Sequence, residues 1–239
     1  MSAWGESSPS VLFLHGAGAG GWEWRIWREI FAADGYACRC PDLKPSADRL
    51  SETGFADYLE IAAAELQDWT RPGVVIGASL GALLALSLNQ RAGVAADRIS
   101  HLVLINPHPG WPESEQMPAL RAAVDGRVDW GRRSRLVNTR RSLADADEAS
   151  CLLAFRHWRD ESQRVLVEAR SQRIEAPLRI PALWLACDDD HDVPPALGHS
   201  MADRLGGQRL LLSGDHLSPL IGKQAPAVAR QVLAWLSIG

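Results

Sequence analysis

The pentapeptide at residues 77–81, GASLG, constrains the fold of this chain more than any other stretch. It follows the short apolar run 74–76 and leads into the apolar run 83–88, an order that predicts a buried strand, a tight turn and a helix. Glycine on either side of Ser79 permits a turn so sharp that the serine hydroxyl stands clear of the sheet. The helix after the serine directs its first N–H groups, including that of Leu80, toward any negative charge that develops there. The pattern therefore predicts a nucleophilic serine.

Short apolar runs typical of buried parallel strands alternate with amphipathic helical patterns along most of the 239 residues. Further strands are predicted at 11–14, 36–40, 101–105, 182–185 and 209–212. Helices are predicted at 22–33, 55–69, 195–205 and 224–235. This alternation predicts an α/β fold, a three-layer sandwich with a mostly parallel sheet of about six strands.

The alternation stops between residues 109 and 177. No buried strand is evident in this segment, its charge density rises, and the stretches 151–159 and 165–174 have an amphipathic helical pattern. We therefore predict a core formed by residues 1–108 and 178–239, and a helical cap, or lid, formed by residues 109–177.

Polar residues that follow successive strands meet at the carboxyl edge of a parallel sheet. His216 comes directly after the last predicted strand and is the best candidate for the base that a serine nucleophile needs. The carboxylate that orients this base is expected in the loop after the preceding strand. That loop offers four aspartates, of which Asp190 is preferred and the others remain open: Asp188, Asp189, Asp190 and Asp192.

These residues resemble the catalytic set of the α/β-hydrolase family, whose members have a triad in the chain order serine, aspartate, histidine. Ser79, Asp190 and His216 have that order, and His15-Gly16 after the first strand is similar to the family's oxyanion-loop motif. The resemblance covers nearly the whole chain. It implies an oxyanion hole made by the backbone N–H groups of Ala17 and Leu80. It also implies that two N-terminal strands of the family's sheet are missing, since about ten residues precede the first strand.

Residues 15–24, HGAGAGGWEW, are also similar to the H-G-x-x-x-G-x-W-x-W pattern of plant methylesterases and hydroxynitrile lyases. We expect this loop, the end of the strand at 101–105 and the cap to surround the substrate. The expected substrate-binding residues are His15, Gly16, Trp22, His108, Trp111 and Trp158. His15 is expected mainly to orient the loop backbone. Tryptophan walls favour a hydrophobic or aromatic acyl or alcohol group.

Arginines crowd one stretch of the cap. A solvated basic face is the preferred interpretation, and contact with a carboxylate substrate or an acidic carrier protein is the alternative. The residues concerned are Arg127, Arg132, Arg133, Arg135, Arg140 and Arg141.

The leading hypothesis for function is a cofactor-free serine hydrolase of the carboxylesterase type, which uses no metal and acts through an acyl-enzyme. A thioesterase for carrier-bound acyl chains, a carbon–carbon bond hydrolase and a lyase are possible on the same fold. A ligand receptor that hydrolyses slowly or not at all is the alternative from a different class.

The composition limits the partners. A net charge of -4 gives no general attraction for nucleic acid or an anionic membrane, so a small-molecule substrate is expected. The sequence contains no evident signal peptide and no apolar run of ~20 residues, so a cytoplasmic location is expected. The four cysteines have neither metal-site nor disulfide-framework spacing. The oligomeric state is left open.

Overall fold

The computed structural model describes residues 8–44, 47–91, 93–131, 133–175 and 177–238. Its strands are β1 (Ser10–Leu14), β2 (Ala37–Arg39), β3 (Gly73–Ala78), β4 (Ile99–Ile105), β5 (Arg127–Val128), β6 (Glu161–Ser162), β7 (Ala182–Cys187) and β8 (Gln208–Leu212). Its helices are α1 (Arg25–Ala33), α2 (Phe55–Ala64), α3 (Leu80–Gln90), α4 (Val94–Asp97), α5 (Leu136–Ser142), α6 (Glu148–His157), α7 (Gln163–Arg170), α8 (Pro195–Leu205), α9 (Ser218–Ile221) and α10 (Ala225–Leu236). Short 3₁₀ segments span Gly21–Trp24, Ala47–Glu52 and Glu113–Gln116.

Six of these strands form one parallel sheet in the order β2-β1-β3-β4-β7-β8. Strand β3 is hydrogen-bonded to β1 on one side and to β4 on the other, so Ser79 follows an interior strand. The loops after β4, β7 and β8 open at the same carboxyl edge. The predicted six-stranded α/β fold is confirmed.

Alternate residues of each strand face opposite sides of the sheet, and each side is covered by helices. Leu12 and Val75 face a buried cluster that includes residues of α2, α3 and α8, whereas Phe13 and Ile76 face one that includes residues of α1 and α10. The inner strands are apolar on both faces because neither face meets water. This rigid platform holds the loops at its carboxyl edge.

The second helix ends earlier than the sequence pattern predicts. Helix α2 stops at Ala64, and the N–H groups of Leu66 and Trp69 then donate to carbonyls three residues back. The Arg39 guanidinium donates to the Glu65 carbonyl, and that of Arg98 donates to the Leu66 carbonyl. Periodicity continues to residue 69 because Leu66 and Trp69 remain buried after the α-helix has ended.

The segment between β4 and β7 contains α5, α6 and α7, and residues 109–177 of it are called the cap below. The cap also contains a two-residue antiparallel ladder, in which Arg127 pairs with Ser162 and Val128 with Glu161. The expectation that this segment lacks buried strands was wrong on this point, because strands this short produce no periodic pattern. In the described part of the chain, no helix has the length and apolarity needed to cross a bilayer.

Candidate active site

Ser79 stands at the turn between β3 and α3 with φ 50° and ψ -119°. A non-glycine residue with positive φ stores strain of about 1–3 kcal/mol, which the surrounding packing must hold in place. The Ser79 N–H donates to the Ile105 carbonyl at 2.9 Å, and its carbonyl accepts from the His108 N–H at 3.1 Å. These bonds fix the backbone on which the hydroxyl is presented.

The two glycines of the turn are required by close backbone approach. A Cβ at Gly81 would lie 2.0 Å from the Leu14 carbonyl oxygen, and one at Gly77 would lie 2.3 Å from the Gly81 carbonyl oxygen. Both distances are far below van der Waals contact. Strand β3, the serine turn and helix α3 can therefore pack this tightly only with glycine at both positions.

His216 and Asp190 form an ion pair at the base of the site. His216 Nδ1 lies 2.6 Å from Asp190 Oδ2, and the Asp190 side chain is almost fully buried. The other oxygen, Asp190 Oδ1, accepts from the N–H groups of Asp192 at 2.9 Å and Val193 at 2.8 Å. A carboxylate held in this way keeps the proton on Nδ1 and leaves Nε2 as the basic nitrogen.

The other three aspartates of this loop have different surroundings. Asp188 Oδ1 accepts from the Gly214 N–H at 2.9 Å. Asp189 contacts His191 at 3.2 Å in an exposed position, and Asp192 is exposed as well. Asp190 is thus the aspartate that the structure brings to the imidazole of His216.

Ser79 and His216 line the same cavity. No hydrogen bond joins these two described residues. Catalytic hydrogen bonds of this kind are often long before substrate binds, and rotation of the serine hydroxyl is a low-energy motion. Ser79 and His216 thus lie at one cavity, and Asp190 is bonded to His216.

Burial disfavours the charged imidazolium of His216, but the surrounding carboxylates outweigh burial. Asp190 contributes most, by charge and by hydrogen bond, and Asp192 and Glu23 add to it, so the pKa of His216 rises to about 9. His216 is therefore a strong base when it is deprotonated.

Asn106, which sequence reasoning did not single out, connects the end of β4 with the end of β7 and with the loop that carries His216. It has φ 43°, a value that asparagine tolerates better than most residues. Its Oδ1 accepts from the Cys187 N–H at 2.8 Å, and its Nδ2 donates to the His216 carbonyl at 2.9 Å. The sequence signal that could have identified Asn106 is its place as a polar residue directly after β4.

His15 does not line the cavity and bonds to the backbone at the start of the loop that follows β1. Its Nδ1–H donates to the Gly16 carbonyl at 2.7 Å, and its Nε2 accepts from the Leu43 N–H at 2.8 Å. Burial, followed by the nearby charge of Arg159, lowers the pKa of His15 to about 4. His15 is thus neutral, with both nitrogens engaged.

Ala17 lines the cavity, and the side chain of Leu80 packs into the core. The backbone N–H of Leu80, and not its side chain, is therefore the candidate donor to an oxyanion. It is the first N–H of α3 and has no preceding turn to donate to.

Glu23 is a buried carboxyl group in the wall of the cavity, and no signal in the sequence selects it. Its Oε2 accepts from the Gly16 N–H at 3.1 Å. Burial raises the pKa of Glu23 to about 7, although the hydrogen bond and the charge of His216 oppose this shift. A second acidic group, besides Asp190, thus lies in the cavity wall with His216.

A buried polar network ties the cap to the oxyanion loop. Glu161 Oε2 accepts from the Gly18 N–H at 2.9 Å, and Glu161 Oε1 accepts from the Tyr58 hydroxyl at 2.6 Å. Arg159 lies 3.7 Å from Glu161 and donates from Nε to the Ala19 carbonyl and from Nη2 to the Leu43 carbonyl. The loop that follows β1 therefore depends on residues of the cap.

The cavity has a volume of about 370 Å³ and lies between the carboxyl edge of the sheet and the cap. Of the residues expected to bind substrate, Gly16, His108 and Trp158 line it. Trp22 lies outside the lining and packs edge-on against Trp158 with ring centroids 5.2 Å apart. Trp111 also lies outside it, 38% exposed, with the Arg173 guanidinium over its ring. These two tryptophans and His15 thus act at most indirectly on a bound substrate.

The basic residues of the cap divide into two groups. Arg133 and Arg135 line the cavity, whereas Arg140 pairs with Glu148 at the surface. Arg121 and Arg170, which were not part of the predicted cluster, also line the cavity. Arg132 lies outside the described residues.

Comparisons with known proteins agree with this architecture. A model of the alpha/beta hydrolase family matches residues 11–231. An extracellular alpha/beta-hydrolase from a Paenibacillus species superimposes with a TM-score of 0.75 at 18% identity, over 95% of this chain and 98% of that one. A pyrethroid hydrolase from Sphingobium faniae gives 0.74 at 21% identity, over 95% and 96%. A methylesterase from Arabidopsis gives 0.72 at 14% identity, over 97% and 100%. No curated protein matches the sequence.

Proposed function

The chain belongs to the alpha/beta hydrolase family, and we propose that it is a serine hydrolase that cleaves carboxylic esters through an acyl-enzyme. The observation that carries the proposal is the 2.6 Å contact between His216 Nδ1 and Asp190 Oδ2 beside the cavity that Ser79 also lines. The esterase names of two structures with this fold support the choice of ester bonds.

In the first step, Ser79 Oγ attacks the ester carbonyl while His216 Nε2 accepts its proton. Asp190 stabilises the imidazolium that forms, because its carboxylate faces the Nδ1–H. The negative charge that develops on the carbonyl oxygen is met by the N–H groups of Ala17 and Leu80. Loss of one such donor typically costs about 10²–10³ in rate.

In the second step, the imidazolium of His216 protonates the leaving alcohol, and the acyl group remains on Ser79. Water enters and attacks the acyl carbon while His216 accepts a proton from it. The bond to Ser79 Oγ then breaks, and His216 returns the proton to this oxygen, which releases the acid and restores the serine.

A fluorophosphonate probe tests this proposal without knowledge of the substrate, because it labels only an activated serine. Intact-mass spectrometry should show one adduct on the native protein and none on Ser79→Ala or His216→Ala. Ser142→Ala is the matched control, since Ser142 also lies in the cavity wall but follows no strand. This variant should be labelled like the native protein.

Absence of an adduct on the folded native protein would contradict the proposal and favour a ligand receptor on the same fold. If the adduct forms, matched 4-nitrophenyl esters and thioesters then separate a carboxylesterase from a thioesterase. We expect the oxygen esters to give the higher kcat/KM.

A further inference from the structure

Arg170, the last residue of α7, is a cation in the cavity wall with few partners. Its Nη2 donates to the Pro118 carbonyl. Its Nε is buried and makes no hydrogen bond to the described residues. No ion pair joins Arg170 to a carboxylate in the described part of the chain. Burial lowers the pKa of this guanidinium, but an arginine side chain stays charged in proteins.

His108 links this cation to the nucleophile. Its N–H donates to the Ser79 carbonyl at 3.1 Å, and its side chain is nearly fully buried in the cavity wall. Burial, followed by the charge of Arg170, lowers the pKa of His108 to about 4. Ser79, His108 and Arg170 all line one cavity, so a ligand held at the serine shares this cavity with the guanidinium.

The charges around the cavity are unbalanced toward the positive, although the whole chain is negative. Four arginines line it: Arg121, Arg133, Arg135 and Arg170. Among the carboxylates in the wall, Asp129 is paired with Arg133 at 3.0 Å, and Asp192 is exposed to solvent. The remaining carboxyl group, Glu23, is largely protonated below neutral pH because its pKa is about 7.

We propose that Arg170 forms an anion subsite, so that the preferred substrate is an ester whose acyl or alcohol group carries a carboxylate. This inference rests on the proposed ester hydrolysis for its chemistry, but not for the binding site itself. A carboxylate beside Arg170 would neutralise a cation that lines the cavity and has no acidic partner in the described part of the chain. The apolar walls at Trp130, Trp158 and Leu120 would hold the carbon part of such a ligand.

The binding site is tested separately from catalysis in the Ser79→Ala protein. Phenylacetate and its neutral analogue phenylacetamide are titrated calorimetrically at fixed ionic strength. We expect phenylacetate to bind more tightly, roughly 10- to 100-fold, which is the range for one charged hydrogen-bonded contact. Adding Arg170→Gln should abolish this difference, and Arg170→Lys should keep part of it because the charge remains.

Arg173→Gln is the matched control. Arg173 lies three residues further along the chain, but its guanidinium covers Trp111 outside the cavity lining. This change should leave the preference for phenylacetate intact. Equal binding of the two ligands to the Ser79→Ala protein, or the same preference in Arg170→Gln as in Arg173→Gln, would overturn the proposal.

The active protein supplies the second measurement. The mono-4-nitrophenyl ester of glutaric acid is compared with the same compound methylated on its free carboxylate, and release of nitrophenolate is followed. We expect the charged ester to have the higher kcat/KM, and Arg170→Gln to lower this value roughly 10- to 100-fold for the charged ester only. An equal loss for both esters would show that Arg170 merely supports the wall through Pro118.

Failure of this proposal and failure of ester hydrolysis give different results. If no ester is cleaved and no fluorophosphonate adduct forms, the proposed reaction is wrong, and the phenylacetate titration still decides the anion subsite. If esters are cleaved without a charge preference and phenylacetate has no advantage, the subsite is wrong and the reaction stands.

Discussion

Glu161 of the cap accepts a hydrogen bond from the backbone N–H of Gly18 in the oxyanion loop at 2.9 Å, although 143 positions separate the two residues in the sequence. This bond is made to Oε2, and the other oxygen, Oε1, accepts from the Tyr58 hydroxyl and from the Ser162 N–H. Glu161 is fully buried, and its positive neighbour Arg159 is mostly so. Ala17 directly precedes Gly18, so the position of the Ala17 N–H depends on the Glu161 carboxylate of the cap.

We predict that Glu161→Gln destabilises the protein by about 3–5 kcal/mol, the usual cost of leaving a buried charge uncompensated. The Glu161 carboxylate has two acceptor oxygens, whereas an amide has one oxygen and one NH₂ group. Either the Tyr58 hydroxyl or the Gly18 N–H therefore loses its acceptor in the variant. We also expect kcat to fall because the oxyanion loop shifts. Urea unfolding and steady-state kinetics measure the two effects.

The control for this variant is Glu148→Gln, which removes an exposed carboxylate paired with Arg140. Both stability and kcat should stay near those of the native protein. Equal behaviour of the two variants would mean that the buried network does not support the loop.

The second prediction concerns the pH dependence of catalysis. His216 must be deprotonated to accept the proton of Ser79, and its pKa is about 9. We therefore expect kcat/KM for a neutral ester to rise with pH and to reach half its plateau near this value. A profile that is flat across this range would show that His216 is not the base.

Asp190→Asn tests the origin of that pKa. Removal of the carboxylate should lower the pKa of His216 and move the rising limb to lower pH, since Asp190 is the largest stabilising influence on the imidazolium. The oxygen of the new amide would keep the bonds from residues 192 and 193, so its NH₂ group faces Nδ1 and favours the wrong tautomer. A drop of about 10⁴ in kcat is the typical result of that change. A loss below tenfold would argue against this role.

The third prediction uses the buried carboxyl group of Glu23. Its pKa is raised from 4.5 to about 7 in the folded protein, so its contribution to stability is complete below the unfolded value and is lost as the pH rises through the folded value. The native protein should lose about 3 kcal/mol relative to Glu23→Gln across this window. Urea unfolding of both proteins at several pH values measures the difference, and a constant difference would contradict the shift.

The fourth prediction separates the two roles of Asn106. Asn106→Gly removes both side-chain hydrogen bonds but keeps a residue that adopts φ 43° freely. Asn106→Ala removes the same bonds and adds backbone strain, so it should be less stable than the glycine variant by about 1–2 kcal/mol.

Both Asn106 variants should have lower kcat than the native protein, because the carbonyl of His216 loses its anchor to the end of β4. Thermal unfolding and kcat of the two variants provide the comparison. If alanine is as stable as glycine at this position, strain plays no part there.

The sequence was sufficient to predict the sheet, the serine turn and the loops that carry Asp190 and His216, because each of these depends on local sequence patterns. Apolar runs mark the interior strands, and the glycines around Ser79 mark the turn. The acidic loop left four candidates open, and only the fold shows which of them meets His216.

The remaining features could not be predicted because they depend on contacts between distant segments. Glu161 and Arg159 lie in a polar stretch of sequence and are nevertheless buried or nearly so by partners far along the chain. Trp22 and Trp111 lie in the expected loop and cap but are not among the residues that line the cavity. Composition indicates which aromatic residues are present, but not the direction in which each side chain extends.

The bonds between Arg159, Glu161 and the core also bear on how a protein of this kind can be recombined. A chimaera that replaces residues 109–177 with the equivalent insertion of another hydrolase would remove the hydrogen-bond partners of the Gly18 N–H, the Tyr58 hydroxyl and the Leu43 carbonyl. The new insertion would have to supply matching groups at the same places. Transfer of a substrate range in this scaffold therefore requires that the glycine-rich loop after β1 and the insertion be exchanged together.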